Sequence, residues 1–94
     1  MPEVTIAIQI GNSDDKLTQE QWSSFVGRIN LILQGYTKVH FFGGSQNWVV
    51  WQNVAWMVNC PADFVSILKE SIASVGKEYN QDSVAWLQGI TEFI

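Results

Sequence analysis

Three stretches of this chain concentrate the residue types that hold or transform small molecules: Asn12, Ser13, Asp14, Asp15 and Lys16; Gln46, Asn47, Trp48, Trp51, Gln52 and Asn53; and Gln81, Asp82 and Ser83. Asn12, Ser13, Gln52, Asn53, Gln81 and Ser83 offer amide and hydroxyl groups that both donate and accept hydrogen bonds. Asp14, Lys16 and Asp82 are suited to charge pairing, and the indoles of Trp48 and Trp51 to stacking on a flat ligand or a partner's side chain. Each stretch taken alone also reads as an ordinary polar turn, because Asx and Ser side chains bond to nearby backbone.

Sharper chemistries find less support. His40 is the sole histidine and could serve as a general base oriented by Asp14 or Asp82, although a histidine in an alternating strand more often packs or bonds locally. Cys60, the sole cysteine, excludes an internal disulfide and a multi-cysteine zinc site; it reads as buried or helix-capping. Asp14, Asp15 and Asp82 lack the spacing of a calcium loop, no HExxH occurs, and Gly43–Gly44 lacks the pattern of a phosphate loop. No catalytic residue, metal or cofactor is expected.

Bulk composition narrows the class. Ninety-four residues suffice for one hydrophobic core, so a single domain over 1–94 is expected. Apolar residues make up 47% and charged ones 15%, more apolar material than so small a domain hides easily. A second copy of the chain, as a homodimer or higher oligomer, is the simplest cover. Nine acidic against five basic residues give a net charge of −4, the wrong sign for a nucleic-acid binder. The sequence also reads as free of signal peptide and membrane span, which points to the cytoplasm.

The elements that must position these groups follow from periodicity. Val4, Ile6, Ile8 and Ile10 alternate with Thr5, Ala7 and Gln9, the mark of a half-buried strand. Thr18 with Gln21 forms a capping box for a first helix whose stripe is Trp22, Phe25, Val26, Ile29 and Leu33, with Gly35 as its stop. Val39–Phe42 and 48–60 read as strands two and three. Pro61 suits the first position of a second helix, striped by Phe64, Ile67, Leu68, Ile72, Val75 and Tyr79 and closing near 76–80. Ser83–Leu87 and Ile90–Ile94 supply a last strand, with Gly89 as a bulge.

The order β-α-β-β-α-β predicts an α+β, ferredoxin-like sandwich: a four-stranded antiparallel sheet ordered 4-1-3-2, with two helices on one face. The other face is left open, to be populated by Trp56 or its neighbours, by Phe41 or Phe42, and by Trp86, and it reads as a dimer surface. In this topology all three polar stretches meet at one edge of the sheet, while Cys60 lies at the other.

IGNSDDKLTQEQW at 10–22, VHFFGGS at 39–45, WQNVAW at 51–56 and QDSVAWLQGITEF at 81–93 together resemble a group of small actinobacterial and actinophage proteins. The resemblance implies a phage or mobile-element accessory protein of the host cytoplasm and brings no catalytic residue. With the polar edge, it suggests a non-enzymatic protein that sequesters a small polar or nucleotide-like ligand, such as a host defence signal, or a host protein. The alternatives are a small hydrolase or isomerase using His40 or Asp82, and a protein–protein inhibitor acting through the open sheet face.

Overall fold

A computed structural model describes residues 2–12, 16–45 and 52–94. In order these form β1 (Glu3–Gly11), α1 (Gln19–Tyr36), β2 (Lys38–Gly44), β3 (Asn53–Pro61), a 3-10 turn (Ala62–Phe64), α2 (Val65–Glu78) and β4 (Ala85–Gly89). The fold is α+β, with one four-stranded sheet and two helices. Neighbours run β2-β3-β1-β4, which counted from the opposite edge is 4-1-3-2, and every pairing is antiparallel. Since β1 and β2 both run against β3, which lies between them, they are parallel to each other and α1 carries the chain across.

Register divides the strand residues between two environments. Ile6 pairs with Val58, Ile8 with Trp56 and Ile10 with Val54, and this face packs against Phe25, Ile29 and Leu33 of α1 and Leu68, Ile72 and Val75 of α2 in one hydrophobic cluster. Thr5 with Asn59, Ala7 with Met57 and Gln9 with Ala55 form the opposite, helix-free face.

The first helix begins as the capping box requires: Gln21 N–H donates to Thr18 Oγ1 at 3.1 Å and Thr18 N–H to Gln21 Oε1 at 2.9 Å. It does not stop at Gly35. The helix continues to Tyr36, and Thr37 closes it by directing both its N–H and its hydroxyl at the Leu33 carbonyl. A side-chain hydroxyl able to satisfy a terminal carbonyl has taken the place of the glycine stop.

The second helix starts later than Pro61 suggests. Pro61 ends β3, where its missing N–H is harmless, and the 3-10 turn intervenes. As a result Phe64 and Ile67 point out of the core, and Leu68, Ile72 and Val75 fill it. At the other end, Asn80 adopts a left-handed φ of 58°, its N–H donates to Lys77 O and Gln81 N–H to Gly76 O. That pair of bonds is a Schellman closure, with asparagine in the place usually given to glycine.

On the open face two open choices are resolved, in favour of Phe41 over Phe42 and of Met57 over its neighbour Trp56, and one expectation, Trp86, is corrected. Trp56 lies wholly in the core, with its indole N–H donating to Asn30 Oδ1 at 3.1 Å. Phe42 stacks on it from the same side, at 5.3 Å between centroids, and Trp86, paired with Ile8, also faces the helices. What does reach the open face is Phe41, Met57 and Leu87. A β-bulge explains Phe41: the register slips between Val39 and Phe41, so that His40 and Phe41 together oppose Met57. The last strand ends at Gly89, and 90–94 form no strand. Among the described residues no helix is long and apolar enough to cross a membrane.

Candidate functional site

The polar edge is built around Asn12, the first residue past β1. It is 1% exposed and is the buried polar residue of the described core. A buried amide must find partners, and this one finds three: it donates to Leu17 O and Gln52 Oε1, both at 3.1 Å, and accepts from Leu17 N–H at 3.0 Å. Asn12 N–H also donates to Gln52 O at 2.8 Å. Gln52 and Gln19 exchange side-chain hydrogen bonds at 2.8 and 3.0 Å, joining the entry of β3 to the start of α1. Asn53 N–H donates to Ser45 Oγ and Ser45 N–H to Asn53 O, tying off the end of β2. Gly44 is pressed so close to this tie that a Cβ on it would collide with Asn53 O.

The edge therefore does collect separate stretches of chain. Asn12, Lys16, Gln52 and Asn53 belong to it, and Lys16 reaches Asp82 at 3.5 Å, drawing in the turn that precedes β4. Ser13, Asp14, Trp48 and Trp51 lie outside the described residues, as do Asp15, Gln46 and Asn47. One expectation is corrected: the Asn12 side chain is buried and bonded within the protein, so it braces the edge and does not face a ligand.

Gln81, Asp82 and Ser83 are placed differently. They line a cleft of about 430 Å³ between α2 and β4, together with Ile72, Ala73, Gly76 and Val84. Gln81 Nε2 donates to Tyr79 O at 3.1 Å, leaving the amide oxygen as an acceptor. The same cleft is lined by Lys69, Lys77 and Trp86, with Lys69 Nζ 5.4 Å from the indole centroid. Lys69 and Lys77 were not singled out from sequence; the signal was available, since 69, 73 and 77 recur every four residues and so share a helix face.

His40 and Asp82 do not form a unit. His40 projects from the bulge of β2 at one lateral edge, and Asp82 precedes β4 at the other. His40 instead joins Thr5, Phe41, Met57, Thr91 and Phe93 around a hollow of about 310 Å³ on the open face, where the Thr5 and Thr91 hydroxyls bond to each other. Cys60 is buried, and burial, with a smaller push from the Glu3 carboxylate, raises its thiol pKa above the ordinary value, which disfavours the nucleophilic thiolate. No three of His, Cys, Asp and Glu gather as a cation site among the described residues.

No protein-family model and no curated protein matches the chain. Among solved structures it is similar to the de novo designed protein Foldit4, at 16% identity and a TM-score of 0.73, covering 97% of this chain and 100% of that one. It is also similar to the hydroxynitrile lyase from Passiflora edulis, at 13% identity and a TM-score of 0.63, covering 98% of this chain and 96% of that one. At such identities the likeness is one of fold.

Replacing Asn12 by Ala strands the N–H and the carbonyl of the buried Leu17. The expected cost is about 1–3 kcal/mol of unfolding free energy, read by urea denaturation with an unchanged m-value. Gln19→Ala, which removes an exposed partner, is expected to stay within about 0.5 kcal/mol of the parent.

Proposed function

We propose that this chain is a ferredoxin-like binding protein that captures a small polar or nucleotide-like ligand at its polar edge and releases it unchanged. The observation that carries this reading is the cleft between α2 and β4, onto which Gln81, Asp82 and Ser83 all open. Its volume suits a small molecule, and its lining joins apolar residues to a few polar groups. The separation of His40 from Asp82 and the burial of Cys60 favour capture over hydrolysis or isomerisation. Fold alone does not choose, since one similar structure is a lyase and the other a designed chain. Sequestration in a host cytoplasm, as a phage or mobile-element accessory protein would perform it, is consistent with a ligand held by side chains and not consumed.

The test is native mass spectrometry after incubation with a protein-free extract of bacterial metabolites. A retained small molecule, recovered chemically intact and lost in Ser83→Trp, is expected. Turnover of an extract component, or retention undiminished by Ser83→Trp, would contradict capture in this cleft.

A second observation favours self-association through the open face. Leu87 is 73% and Phe93 92% exposed there, beside Phe41, Met57 and Ile90, a concentration of apolar surface that a second copy would cover. Light scattering at tens of micromolar is expected to give twice the chain mass, and Leu87→Glu the monomer. A parent chain that scatters as a monomer would refute the pairing.

A further inference from the structure

The cleft has two unlike ends. At one, Lys69 Nζ stands over the Trp86 ring. At the other, the turn out of α2 presents the Gln81 amide oxygen, the Asp82 carboxylate and the Ser83 hydroxyl. The rest of the lining is small or apolar: Ile72, Ala73, Gly76 and Val84.

Cations stand at both ends of this cleft. The chain has five basic residues and a net charge of −4, yet Lys69 and Lys77 line this one cleft and Lys16 reaches its lip through Asp82. Asp82 is the only acidic residue in the lining, and it sits at the far end from Lys69. Among the described residues neither Lys69 nor Lys77 has a carboxylate partner, whereas Arg28 is engaged by Glu78. Positions 69 and 77 are about 12 Å apart along the helix axis, so one small anion at Lys69 leaves the Lys77 end for another part of the ligand.

We propose that the cleft takes a flat heteroaromatic molecule with an anionic tail at Lys69 and a hydrogen-bond-donating edge, such as an exocyclic amino group, at Gln81, Asp82 and Ser83. Its ring lies between Trp86 and Lys77. A nucleoside monophosphate and an amino-substituted aromatic carboxylate share this chemistry. The inference rests on the capture reading and adds the ligand class and the roles of Lys69, Lys77 and Trp86.

The test follows the amide and indole signals of the ¹⁵N-labelled full chain during titration with adenosine 5′-monophosphate, adenosine, and 2-amino-6-naphthoate. Movement of the Trp86 indole and of residues 69–77 and 81–84 is expected with both anions. The stronger of the two identifies whether phosphate or carboxylate is preferred. Adenosine is expected to bind at least about tenfold more weakly than its monophosphate, the loss of one charged hydrogen bond. Lys69→Gln, a surface change, should weaken the monophosphate by a similar factor and leave adenosine unchanged. Equal binding of adenosine and its monophosphate, or indifference to Lys69→Gln, overturns the anionic-tail proposal while leaving capture intact. Silence of the cleft signals toward all three at millimolar concentration, or shifts confined to the open face, overturns this ligand class, while capture itself falls only if the metabolite-extract experiment also fails.

Discussion

A buried amide that must be satisfied is the constraint on which the functional edge of this protein depends. Asn12 leaves β1 into the interior, where an unpaired donor or acceptor is costly, and its partners are supplied by Leu17 and Gln52. Those two residues lie before α1 and before β3. A single side chain therefore fixes where the first helix starts relative to the third strand, and Gln19 with Gln52 extends the connection to the surface. The Schellman closure at Asn80 does the equivalent work on the other side, aiming 81–83 into the cleft.

This division of labour separates bracing from binding along one edge. Polar groups nearest the sheet axis bond mainly to each other, and those beside β4 border a cleft with a partly apolar lining. The helix contributes the cations and the turn contributes the acceptors, so the two walls differ in chemistry as well as in origin. A hydrogen-bond network closed on itself adds rigidity, while the Gln81 amide oxygen and the Ser83 hydroxyl, bordering the cleft, are groups a ligand can use.

Much of the fold was legible because its signals are local and periodic. Alternation in Val4–Ile10 marks the inner face of β1, and the Thr18–Gln21 box places the start of α1 to the residue. The signals that misled were those that tertiary context overrides. Gly35 has no special conformation to adopt, and Thr37 ends the helix two residues later. Trp56 sits in a strand apolar on both faces, so its side could not be read until the register with Ile8 was fixed. The bulge at His40 and Phe41 left no mark in the sequence, yet it decides that Phe42 and not Phe41 stacks on Trp56. At the edge, convergence of the stretches was readable from strand directions. The fate of Asn12 was not, because a polar residue next to a turn looks the same whether it faces water or the interior. Lys69 and Lys77 were hidden by their ordinary appearance on a solvated helix, and only the approach of β4 turns that face into a wall.

The most direct measurement of the central constraint is native-state hydrogen exchange at the Leu17 amide. This N–H lies outside every helix and strand and has the Asn12 side chain as its acceptor. If Asn12 braces the edge, Leu17 exchanges as slowly as the central amides of β1, through opening of the core. Exchange at the rate of an open coil amide such as that of Glu92 would mean that Leu17 opens on its own and that Asn12 does not hold these segments together.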